Sequence, residues 1–157
     1  NALGVGATVD LFPPAGEFVL APGERPLALI SGGVGITPTL PMLQAAHEQR
    51  RPVTFVHFAR NAAVHAFRDW VDDLVARSTQ ARRFYCHEAV GDAAVDAHGR
   101  VSADLLARAL PQARDMDAYF VGPAPFMGAV KRLLGELGVP AERMHWEFFG
   151  PAAALEG

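Results

Sequence analysis

The alternation of strand-like and helix-like segments predicts an α/β fold, a Rossmann-like parallel five-stranded sheet flanked by helices. Two observations carry that expectation. Short apolar or β-branched runs recur five times between segments of helical character. A glycine cluster, Ser31-Gly32-Gly33-Val34-Gly35, stands where the first of those runs gives way to a helix. Strands joined through helices pair in parallel by right-handed crossovers, which cover both faces of the sheet.

Each element has its own signal. Residues 9–20 read as a strand, a Pro/Gly turn and a short strand, and residues 21–26 as a turn-rich linker. Residues 27–30, Leu-Ala-Leu-Ile, form a continuous apolar run, the pattern of a strand buried on both faces. A helix follows the glycines to about Arg50. Thr37 is placed to cap it with Pro38 at its first position, and Pro41 makes its start irregular. Residues 53–58 are β-branched and aromatic, hence a strand. Residues 64–76 carry apolar side chains at 64, 67, 71, 74 and 75, hence a helix with one buried stripe. Residues 83–87 read as a weaker strand and 88–99 as a loop. Residues 102–110 form a short helix that Ser102 caps. Residues 118–121 are a strand, 125–137 a helix ended by Gly138 and Pro140, and 144–149 a last strand rich in aromatics.

Composition excludes several classes of function. Of 157 residues, 50% are hydrophobic and 20% charged, with a formal net charge of −3. That balance is globular, and its mild acidity gives no electrostatic reason to expect nucleic acid or a membrane surface. The single cysteine, Cys86, excludes a disulfide framework and a Cys-rich metal cluster, and reads as a buried small hydrophobe. No ligand spacing links the six histidines, so no metal site is expected. Ser102 lacks the Gly-x-Ser-x-Gly setting of a hydrolase nucleophile. No secretory signal or bilayer-length apolar run is present, and a cytoplasmic location is expected. Asn1 and Ala2 read as the remnant of a cleaved tag, and the rest as a piece of a longer protein.

The glycine cluster carries the chemistry. Gly32, Gly33 and Gly35 let the backbone turn sharply and let a bulky anion approach without a Cβ in the way. The N–H groups at a helix start and the positive end of its dipole then favour a diphosphate. No Gly-Lys-Ser/Thr follows, so this is not an ATPase loop, and Pro38 stands where a strict G-x-G-x-x-G would place its third glycine. A strand-to-helix turn using glycine for geometry alone is the competing reading.

Four segments occur in order: Pro14-Ala15-Gly16-Glu17-Phe18, Leu29 through Pro38, Val121-Gly122-Pro123-Ala124-Pro125-Phe126-Met127, and Glu147-Phe148-Phe149-Gly150-Pro151. Together they resemble the nicotinamide-binding half of the ferredoxin–NADP reductase superfamily. The stretch Phe58-Ala59-Arg60-Asn61-Ala62-Ala63-Val64-His65-Ala66-Phe67-Arg68-Asp69 is similar to the corresponding part of bacterial flavohaemoglobins, and the resemblance extends from Val9 to Pro151. It implies that Gly32, Gly33, Val34, Gly35, Ile36 and Thr37 bind NAD(P)H, and that Gly122 and Pro123 sit beside the nicotinamide. Phe148, Phe149, Gly150 and Pro151 would meet FAD, with Glu147 the catalytic candidate at the flavin–nicotinamide junction. Residues 3–24 would then end a flavin-binding barrel and its linker, 25–151 would form the NAD(P)-binding domain, and 152–157 a tail. Full-length relatives pass hydride from NAD(P)H to FAD and electrons to the haem of a globin domain, where nitric oxide becomes nitrate. Two departures stand out: Val121 occupies a position where many relatives carry Cys, and Phe148 one where many carry Cys or another small residue.

Arg60 ends the second strand, where a Rossmann-like domain meets the adenosine ribose, and Arg60 or Arg68 would favour a 2′-phosphate. A solvated surface role is equally compatible with Arg68, and NADH versus NADPH stays open. His65 reads as a capping or surface residue at a helix start. Two other functions stay open: the reductase component of a multicomponent oxygenase, and a dinucleotide-binding module without catalysis.

Overall fold

A strand whose two faces are both covered needs apolar side chains at every position, and Leu27–Gly32 is buried throughout. This strand, β1, is central in the computed structural model, which describes residues 4–6, 8, 16–91 and 94–148. The other strands are β2 (Val53–Ala59), β3 (Ala81–His87), β4 (Ala97–His98), β5 (Asp117–Val121) and β6 (Met144–Trp146). All pair in parallel in the order β4-β3-β2-β1-β5-β6. Leu29 pairs with Phe55 of β2 and with Tyr119 of β5.

The helices are α1 (Ile36–Glu48), α2 (Arg68–Ala76), α3 (Ala103–Ala109) and α4 (Ala124–Glu136). Alternation along β1 sorts the core into two layers. Leu27 and Leu29 face Ile36, Leu43, Val71 and Leu74 of α1 and α2. Ala28 and Ile30 face Leu105, Leu106, Val130 and Leu134 of α3 and α4. Truncating one of these leucines to alanine costs about 2–5 kcal/mol.

The sheet has six strands, not the five expected. β4 is only two residues long, too short to show a period, and arises inside the 88–99 segment read as a loop. Asp96 leads it in, its carboxylate accepting the Tyr85 N–H at 2.8 Å and its own N–H donating to the Tyr85 carbonyl at 3.0 Å. The helix expected over 64–76 starts only at Arg68. Ala62–Val64 form a 3₁₀ turn, with Asn61 Oδ1 accepting from the Ala63 N–H, and Phe67 stands left-handed at φ 58°. Thr37 does not cap α1. Gly35 holds that position, Pro38 is third in the helix, and Thr37 Oγ1 donates back to the Val34 carbonyl at 3.1 Å. Ser102 does cap α3, accepting from the Leu105 N–H.

The expected strand over residues 9–12 lies outside the described residues. The short strand after it is not formed, since residues 18–20 lack regular structure. The linker is nonetheless held. Arg51, almost fully buried, donates to the carbonyls of Ala21 and Arg25 and to the Asp117 carboxylate at 2.9 Å. Among the described residues no helix is long and apolar enough to cross a membrane, and no group of three or more His, Cys, Asp or Glu side chains is arranged to hold a metal.

Candidate functional site

The strand order reverses at β1, whose neighbours are β2 on one side and β5 on the other. The chain leaves β1 toward α1 on one face and leaves β5 toward α4 on the opposite face. Divergent exits of this kind open a crevice at the carboxyl ends of the strands, the place where open α/β sheets bind ligands. Gly32–Thr37 and Gly122–Pro123 lie on its two sides.

The residues of this crevice admit only certain side chains. A Cβ on Gly35 would overlap the Val121 carbonyl oxygen and stand 2.9 Å from the Gly122 nitrogen, so the two loops touch backbone to backbone. Gly33 has φ +55°, and a Cβ there would meet nothing within 4 Å. One glycine is therefore needed for close approach, and the other turns the chain while leaving space above it. Val34 is 85% exposed at the apex, whereas Ile36 is buried in the α1 layer and offers the crevice only its backbone. Thr37 is exposed in the first turn of α1. The ring of Phe126 closes over Gly32 from the α4 side and meets Phe58 edge-on.

The geometry fits a diphosphate. The open face of a helix start presents N–H groups without intrahelical partners, and the exposed side chains of Val34 and Thr37 stand beside it. Pro123 is exposed and precedes α4, so the β5 loop forms the second wall.

Beyond β5, the β6 edge is stacked on both faces. His145 lies on Tyr119 at 4.5 Å, and Trp146 on Phe120 at 5.5 Å with Lys131 over its ring. Glu147 and Phe148 follow at the carboxyl end, both half-buried. Phe148 packs against the α3/α4 layer, and Glu147 borders an open cavity of about 540 Å³ shared with Glu17, Phe18 and Tyr119. Phe149, Gly150 and Pro151 lie outside the described residues.

On the other flank, Arg60 is exposed immediately after β2 and has no ion pair among the described residues. Arg68 is drawn elsewhere: it donates to the Ala94 carbonyl, lies 3.8 Å from Asp72 and stands over the Tyr85 ring. Glu88 donates its N–H to the Ala59 carbonyl, so the fold brings an acidic residue beside Arg60 that the strand-end reading did not anticipate.

His65 is not a surface residue but 7% exposed, and the position before α2 belongs to Phe67, while the His65 backbone N–H closes the 3₁₀ turn on the Ala62 carbonyl. Its Nδ1 lies 3.0 Å from His87 Nε2 and its ring 4.7 Å from that of His57, whose Nδ1 meets Ser31 Oγ at 2.8 Å. Burial and mutual repulsion lower His57 to about 3 and His65 to about 4, and burial lowers His87 as well. Burial and the hydrogen bond to Asp72 raise Tyr85. Strand alternation through Val53, Phe55 and His57 could have placed His57 inward. Nothing local marks His65, because its burial depends on a turn that ends before α2. Cys86 is buried as expected, and burial raises its thiol to about 11.

Residues 29–132 match the family described as the oxidoreductase NAD-binding domain, and the chain belongs to that family. Its curated relatives are more particular. It is 65% identical to a flavohemoprotein of Pseudomonas putida, over 99% of this chain and 40% of the relative, and 56% identical to one of Pseudomonas aeruginosa, over 96% and 39%. Among solved structures it resembles the FAD/NAD-binding domain of nitric oxide dioxygenase from Vibrio cholerae, with a TM-score of 0.79 and 33% identity over 87% of this chain and 56% of that one. A flavohaemoglobin from Malassezia yamatoensis, with FAD and haem bound, aligns with a TM-score of 0.70 at 24% identity over 81% of this chain and 32% of that one, a likeness of fold. The chain spans about 40% of the length of the curated relatives it matches.

Proposed function

We propose that this chain is the NAD(P)H-binding part of a flavohaemoglobin, delivering hydride to FAD held mainly by an adjoining domain and so supporting haem-dependent nitric oxide dioxygenation. The observation that carries the reading is the glycine crevice between β1 and β5, with Gly35 packed on Val121 and Gly33 open, in a chain 65% identical to a flavohemoprotein. Residues 25–151 would form the nucleotide-binding domain, and 3–24 the end of the flavin-binding barrel with its linker.

In this reading the bound nicotinamide supplies the hydride. The amides of Gly33, Val34 and Gly35 and the start of α1 hold the diphosphate, with Gly32 shaping the turn and Ile36 anchoring it from below. Thr37 would border the same phosphates or the adjoining ribose once its hydroxyl turns from the Val34 carbonyl. Gly122 and Pro123 bound the nicotinamide side, and buried Val121 fills the place of the thiol found in many relatives. Phe148, with Phe149, Gly150 and Pro151 after it, excludes water at the border with the flavin, and Glu147 is the carboxylate at that border. Close ring approach with water excluded is what hydride transfer requires of the protein. Arg60 would stand at the adenosine end together with Glu88, a guanidinium suited to a 2′-phosphate beside a carboxylate suited to a free 2′-hydroxyl.

The test is reconstitution. This chain, added with NADH or NADPH to the FAD-loaded remainder of the Pseudomonas putida relative, should bleach the oxidised flavin band, and this chain alone should show no oxidase turnover. Nucleotide binding without bleaching would leave a binding module and overturn the reductase reading.

A further inference from the structure

The segment from Asn61 to Phe67 follows the carboxyl end of β2, beside the glycine loop of β1. It stands on the side of the crevice where the adenosine half of a dinucleotide would lie. Its attachment to the body is narrow. Ala62, Ala63, Val64, Ala66 and Phe67 are exposed and Asn61 is half-buried, so His65 is the one buried side chain in seven residues. The backbone around it is not at rest, since Phe67 holds φ 58° with a bulky side chain.

An apolar anchor would serve packing as well without the cost of burying an imidazole. Instead His65 inserts between two further histidines, and the Nε2 atoms of both His57 and His65 are buried without a hydrogen-bond partner. The groups facing the stack come from every neighbouring element. They are Ser31 of β1, His57 of β2, Arg83, Tyr85 and His87 of β3, His98 of β4, and Arg68 and Asp72 of α2. The one carboxylate among them, Asp72, is already paired with Arg83 at 2.8 Å and accepts the Tyr85 hydroxyl at 3.0 Å. A proton on His65 thus finds two cations and two imidazoles, and a carboxylate already engaged.

We propose that His65 is a titratable anchor: the wall built by residues 61–67 stands while the three-histidine stack is neutral and opens when His65 takes up a proton. The proposal rests on the nucleotide-binding reading for its consequence, which is weaker binding of the adenosine half under acid conditions. His65 acts through the segment it holds and is a positioning residue.

The anchor and the nucleotide reading are tested separately on the 157-residue chain. Hydrogen–deuterium exchange of residues 61–67, corrected for intrinsic exchange, reads the opening. Calorimetric titration with NAD⁺ at pH 7.5 and pH 5.0 reads binding. With His65 held near 4 when folded and near 6.5 when exposed, opening should rise about 30-fold between those pH values, and NAD⁺ affinity should fall with it. His65→Phe and His65→Gln should each flatten the pH slope of the exchange, and the glutamine variant, which retains a partner for His87, serves if the phenylalanine variant fails to fold. A wild-type segment whose corrected exchange is independent of pH, or a folded variant keeping the wild-type slope, would overturn the anchor. NAD⁺ that fails to bind at pH 7.5 while the slope is present would overturn the nucleotide reading and leave the anchor standing.

Discussion

Two glycines in the same loop make opposite demands. Gly35 lies where a Cβ would overlap the Val121 carbonyl, and neither backbone can withdraw without separating β1 from β5. Gly35→Ala should lower unfolding stability by about 1–3 kcal/mol, the range for forced overpacking, as read by urea denaturation. Gly33 is limited by its φ of +55° and not by space. Gly33→Asn, which tolerates that conformation, should change stability by less than about 1 kcal/mol yet weaken NAD⁺ binding roughly tenfold or more. Gly33→Val, with its β-branched side chain at positive φ, would lose stability as well and so does not isolate the binding role. Equal losses of stability from Gly35→Ala and Gly33→Asn would contradict the division of labour.

At the scale of elements, legibility followed the length of each signal. β1, β2 and β5 are buried runs of five to seven residues, and their apolar or β-branched content declares them. α4 ends near the Gly138 that marks it, and α3 begins after Ser102. Two residues of β4 carry no period at all, and the start of α2 is hidden because Val64 and Phe67 continue its apolar spacing although the chain turns left-handed at Phe67. Pro41 is expected to make the start of its helix irregular, but α1 runs continuously through it, and the irregular turn precedes the helix at Gly33–Gly35. Position 41 lacks the N–H that would bond the Thr37 carbonyl. Since Pro41 is exposed, Pro41→Ala should raise stability by about 1 kcal/mol, seen as a higher denaturation midpoint at unchanged slope. A lower midpoint would mean that the proline ring has a packing role.

For the whole molecule, topology does what no single residue does. The order β4-β3-β2-β1-β5-β6 places the switch between β1 and β5, so two loops almost ninety residues apart in sequence share one crevice. The glycine loop and the Gly122–Pro123 turn were legible as motifs, but their contact through Gly35 and Val121 was not, because it depends on strand register. The histidine stack is not legible in the sequence for the same reason: it is assembled from β2, the following turn and β3. At the opposite end of the sheet, buried Arg51 ties the linker to Asp117 and fixes where the chain enters the domain. The proposed dinucleotide site is the β1–β5 crevice. Its most direct test is an amide NMR titration of this chain with NAD⁺. The largest shifts should fall at Gly32–Thr37 and Gly122, with smaller ones at Arg60 and Asn61. Shifts confined to the apolar groove of Leu40, Phe67 and Trp70, or none at saturating nucleotide, would contradict it.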